Sequence, residues 1–141
     1  MITLLLVATV TAVFGSQSGT GSIEGTWTAQ YQGRTFVRLE LRVENGLVAG
    51  GLSVGNIQVD AQGAITSAGQ PPQHLTPVFD VTRQGATLTF SRKDGADTDR
   101  FEFRLLEGGA ADLQFLLSDD DRQALAASGA AVPKPIRLAR Q

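Results

Sequence analysis

The stretch from Arg34 to Gly46, RTFVRLELRVENG, constrains the fold more than any other part of the chain. Val37, Leu39, Leu41 and Val43 alternate strictly with Arg38, Glu40, Arg42 and Glu44. Successive side chains of a strand point to opposite faces, so a period of two puts four apolar groups on one side and four charges on the other. A helix would scatter both sets around its axis. Asn45-Gly46 then offers the two residues that a tight hairpin turn prefers. The segment is therefore a strand with one dry and one wet face, and its dry face needs a cover.

The same period runs on either side. Upstream, IEGTWTAQY puts Ile23, Gly25, Trp27, Ala29 and Tyr31 on one face, with Gln32-Gly33 turning into the next strand. Downstream, LVAGGLSV and NIQVDA read as short strands ending at Gln62-Gly63. Ser67 to Pro77 reads as the longest loop, because the Pro71-Pro72 pair cannot donate to a ladder. VFDVTR, TLTFSRK, DRFEFRLL and DLQFLLS follow, with Phe90, Phe103 and Phe115 on the apolar phase of their strands. One segment breaks the period. Ser118 before Asp119, Asp120 and Asp121 reads as an N-cap with carboxylates in the positive first turn, and Gly129 as its terminator.

The predicted fold is all-β: an antiparallel up-and-down meander of about eight strands, with one helix of about two turns before a last strand, IRLAR. Pairing the first strand with the last removes both edges of an open sheet and gives a barrel. A two-sheet sandwich would satisfy the same periodicity.

Composition narrows the function classes. The 141 residues make one domain, and net charge −2 with twelve dispersed cations argues against nucleic acid, whose phosphates need a cationic cluster. With no cysteine there are no disulfides, thiolate nucleophiles or zinc–thiolate sites. Residues 1–22 carry no charged side chain, and Ile2 to Phe14 is an apolar run of signal-peptide length, too short for a transmembrane helix. No Lys or Arg precedes that run. The expected organisation is a signal peptide or apolar leader over 1–22 and a β-barrel domain over 23–141. The protein is then secreted or periplasmic, and meets a membrane only through the leader if it is uncleaved.

The opening hairpin resembles that of calycin barrels, the group containing lipocalins and avidins, in Gly25-Thr26-Trp27, Gln30, Gly33, Thr35-Phe36, Gly46-Leu47 and Gly50. The resemblance covers about a quarter of the chain. It implies that Trp27 plugs one barrel end and that Arg140, in phase with Ile136 and Leu138, lies over its ring as a structural closure. A biotin site is not implied, since there is one tryptophan and Ala29 stands where avidins carry an asparagine.

Candidate chemistry is sparse. His74 is the sole histidine, no serine lies in a Gly-x-Ser-x-Gly elbow, and KDGADTD lacks the ligand spacing of a calcium loop. Glu40 with Glu102, or Asp80 with Glu24, are carboxylate pairs on paper alone. No cofactor, metal or catalytic residue is expected. Two functions follow. The first is a non-catalytic interaction or accessory module with a filled interior, whose partner is another protein. The alternative is a lipocalin-like carrier of a small apolar molecule or lipid, with Trp27, Tyr31, Leu39, Leu41, Phe90, Phe103 and Phe115 lining its cavity. Large inward residues favour the filled interior.

Overall fold

The computed structural model describes residues 22–141, so all of the expected leader except Ser22 lies outside the described residues. Ten strands and one helix follow: β1 (Gly25–Tyr31), β2 (Arg34–Glu44), β3 (Leu47–Val54), β4 (Ile57–Val59), β5 (Ile65–Ala68), β6 (Thr76–Gln84), β7 (Thr87–Asp94), β8 (Asp97–Leu105), β9 (Ala110–Leu116), α1 (Asp119–Ser128) and β10 (Ile136–Arg140). Eight of the strands close a barrel in the order β1-β10-β9-β8-β7-β6-β3-β2, every pair antiparallel. The expected fold class stands, helix included.

The alternation read in β2 sets which side faces in. Val37, Leu39 and Leu41 are buried, while Arg38 pairs with Glu40 and Arg42 with Glu44 on the outside, each at 2.7 Å. These exposed pairs contribute about 1 kcal/mol at most. Their main effect is to keep the outer face wet and the register unambiguous, since a one-residue slip would bury a row of charges.

The barrel closes across two short seams. β1 meets β10 at Trp27–Arg140 and Thr28–Ala139, and β3 meets β6 at Gly51–Pro77 and Leu52–Thr76. The ladders between them are longer, seven residue pairs for β1–β2 and eight each for β2–β3 and β7–β8. The molecule is thus a barrel with a trace of the sandwich alternative.

Two local expectations need correction. NIQVDA is not a stave: β4 covers only Ile57–Val59 and pairs with β5 in a separate two-stranded sheet. Its apolar residues cannot alternate into the barrel because β3 already has β6 as its neighbour. Ile57, Ile65 and Ala68 instead pack onto the outside of the core, and the Tyr31 hydroxyl donates to the Thr66 carbonyl at 3.0 Å. The loop from Ser67 to Pro77 is also shorter than expected. Ser67 and Ala68 belong to β5, and Thr76-Pro77 join the ladder to β3. Proline is tolerated there because this ladder is a short seam rather than a central pairing.

Helix α1 begins and ends where the sequence places it. The Ser118 hydroxyl accepts from the Asp121 amide at 3.1 Å, and Gly129 ends the helix in the left-handed region at φ 74°. The helix is ten residues long and buries none of them. It bridges β9 to β10 without adding to the core. No helix among the described residues is long and apolar enough to cross a membrane.

Candidate functional site

Three places could hold a function in a barrel: its interior, its two ends, and clefts on its outside. The interior belongs to side chains. Trp27, Leu39, Phe90 and Phe103 are each 0% exposed, and Leu41 is 4%. Any void wide enough for water would give its walls accessible area, and these walls have almost none. Trp27 and Phe103 meet edge to face at 5.2 Å, and Phe101 stacks on Phe90 at 5.6 Å. Leu52, Leu88, Leu113 and Leu138 fill the space between them. Of the residues expected to line a cavity, Tyr31 and Phe115 alone are partly exposed, both toward the rim where β1 and β9 end.

One barrel end is formed by the start of β1 and the end of β10. There the Trp27 indole donates to the Ile23 carbonyl at 2.9 Å, and the Arg140 guanidinium lies 4.6 Å above its ring. Arg140 also donates to the Ser22 carbonyl. Gly25 adopts φ 130°, and the Arg140 side chain runs 3.7 Å from where a Cβ would stand. A side chain at residue 25 would be strained by that φ, while the arginine would stand at an ordinary contact distance. The contact ties the first strand of the barrel to the last at this end.

The opposite end has a second arginine. Leu88, Phe90 and Arg92 share one phase on β7, so Arg92 enters the inward row and sits 5.3 Å from the Phe101 centroid. Its side chain is 12% exposed and its Nη2 donates to Asp99 at 3.1 Å. Sequence reasoning missed this pair, though the signal was present: Arg92 follows Leu88 and Phe90 at intervals of two, and Asp99 precedes Phe101 and Phe103 in the same way. Burial would ordinarily argue against charges at those positions, but at a barrel end they can pair and still touch water.

Outside this end lies a cleft of about 580 Å³, between the end of β3, the loop Gln70–His74 and the end of β7. Arg92, Lys93, Asp94 and His74 contribute its ionisable groups. The loop is fixed rather than draped: the Ser53 hydroxyl donates to the Pro72 carbonyl at 2.6 Å, and the Gly69 amide to the Asn56 carbonyl at 2.8 Å. Gly55 packs so tightly on the Gly69 carbonyl that a Cβ has no room.

The paper carboxylate pairs have separate occupations. Glu40 binds Arg38, Glu102 binds Arg104, and Glu24 accepts from the Val43 amide at 2.7 Å. Asp80 stands at the β6 bulge with φ 50°. Asp94 and Asp97 flank the β7–β8 turn, and Asp119 to Asp121 form the first turn of α1. Among the described residues no group of three or more acidic or histidine side chains could hold a metal ion. Comparison of the chain with protein-family models, with curated proteins and with solved structures gives no match in any of the three.

Proposed function

We propose that this chain is an exported, non-catalytic β-barrel module that works through its outer surface as an interaction or accessory domain. The observation that carries the reading is the filled interior: Trp27, Leu39, Phe90 and Phe103 have no accessible surface. An eight-stranded barrel either packs its own side chains or leaves room for one small ligand, and this one packs. A calycin-like assignment belongs to the same proposal, supported by Arg140 over Trp27. Export is supported by the uncharged, apolar start of the sequence. The non-catalytic part rests on the sequence, in which His74 is the sole histidine and no serine lies in a Gly-x-Ser-x-Gly elbow.

A long-chain fatty acid, the kind of ligand a carrier barrel would take, provides the test. Titrated into the folded protein, it is expected to leave Trp27 emission and the melting temperature unchanged. A saturable change in both, with stabilisation growing with ligand concentration, would replace the module by a carrier.

A further inference from the structure

We propose that the seam between β1 and β10 opens into a groove that takes an extended acidic segment of a partner protein by strand addition. This deepens the module reading and rests on it, since it names the partner's chemistry and the surface that receives it.

The first observation is a ladder that stops while its strands go on. β1 and β10 pair at Trp27–Arg140 and Thr28–Ala139 and no further. Yet residues 29–31 of β1 stay paired with β2, and residues 136–138 of β10 with β9. The Gln141 amide donates to the Thr26 carbonyl at 2.8 Å, while the Arg140 amide turns the other way, to Gly109. Groups that face one neighbour alternate along a strand, so Thr26, Thr28 and Gln30 face β10, and Arg137, Ala139 and Gln141 face β1. Gln30 and Arg137 thus present backbone N–H and C=O groups to the seam without a ladder partner across it. The cause lies in the first hairpin. The register of β1 with β2 shifts between Ala29 and Gln30, Phe36 being the extra residue, and a bulge adds twist just where the ladder to β10 ends. The other short seam is less suited, because there β6 itself carries the bulge between Phe79 and Thr82, which breaks the row of groups a new strand needs.

The second is the shape and charge of the opened seam. Two hollows, of about 300 Å³ and about 370 Å³, lie along it, and Ala29, Gln30 and Arg137 line both. Lys134, Arg137 and Arg140 are among the described residues around them, and no Asp or Glu is. Arg140 is committed to Trp27 and Ser22, which leaves the other two cations. Arg137 gives its Nε to Asp112 at 2.7 Å and keeps a side chain 66% exposed. Lys134 is exposed and forms no ion pair with a described residue. Carboxylates on an extended segment complement these two cations, while its backbone supplies the partner that Gln30 or Arg137 lacks.

The test is a titration of the full chain with a capped peptide of about six residues, glutamate alternating with valine, followed by the backbone amide resonances. The controls, at matched ionic strength, are a lysine–valine peptide and a glutamate–proline peptide, whose missing amides and fixed φ exclude a ladder. Saturable shifts at Gln30, Arg137 and their neighbours are expected with the glutamate–valine peptide alone, with slowed exchange of at least one of those two amides. Lys134→Glu, an exposed change outside the strands, should weaken binding by about tenfold or more. Its folded state is checked by the remaining amide spectrum. No saturable shift, equal binding of either control, shifts centred on residues 47–50 of β3, or undiminished binding by Lys134→Glu would overturn the proposal. Each of these would remove the groove and leave the filled module standing, whereas saturable fatty-acid binding would remove the module itself.

Discussion

Arg140 and Trp27 are direct partners in the ladder between the last strand and the first, and the guanidinium carbon of the arginine stands 4.6 Å from the indole ring centroid. One contact therefore joins the first and last strands, covers the largest core residue and reinforces a seam only two residue pairs long. Trp27→Ala is expected to cost about 3–5 kcal/mol, as for other large buried aromatics. Arg140→Ala should cost about 1–2 kcal/mol, through the lost cation–π contact and the bond to Ser22. In urea unfolding, the double variant should lose less than the sum of the two. Strict additivity would mean that the two side chains do not act together.

The loop that walls the outer cleft depends on Gly55, whose missing Cβ lets the Gly69 carbonyl approach. Gly55→Ala should destabilise by about 1–3 kcal/mol, the usual range for overpacking, and should loosen residues 69–74 first. Amide exchange at Gly69 and Gln70 reports this directly. Unchanged protection there would show that the close approach is not a constraint.

Helix α1 buries nothing, so its stability is local. Ser118→Ala removes the acceptor for the Asp121 amide and should cost the helix about 1 kcal/mol. Amides 121–129 are expected to exchange faster while the barrel's melting temperature stays within about 1 °C. A large drop in the melting temperature would mean that the helix supports the barrel.

Much of this architecture was legible because the physics is local. Val37, Leu39 and Leu41 against Arg38, Glu40 and Arg42 fix a face, and Asn45-Gly46 fixes the turn that follows. Ser118 and Gly129 mark a helix by the geometry each end needs. What the sequence hid was non-local. Nothing in NIQVDA says that β6 will take the place beside β3, since both segments have strand character and only the closed ring decides between them. Arg92 was hidden for another reason: its phase marks it as inward, while its charge marks it as outward, and only the barrel end reconciles the two. The outer cleft likewise joins residues from β3, a loop and β7 that no spacing connects.

Export is open to a direct test that respects the fold. Expressed in a bacterial host, the full chain should reach the periplasm shortened near Gly15 or Gly19. A chain starting at Ser22 should fold as well as the full one, because Ser22 supplies the carbonyl that receives Arg140 and Ile23 belongs to the core. Cytoplasmic, full-length protein would contradict the leader, and failure of the shorter chain to fold would assign the first residues a structural role.

The filled interior is tested most directly by making a hole in it. Leu39→Ala removes a side chain with no accessible surface from the middle of the first hairpin and should cost about 2–5 kcal/mol. The cavity it leaves is apolar and should take up a benzene-sized ligand. Melting temperature is measured for the parent and the variant across a series of benzene concentrations. A rise in the variant alone is the expected result. A saturable rise of similar size in the parent would show a void already present, and with it a barrel built to carry rather than to pack.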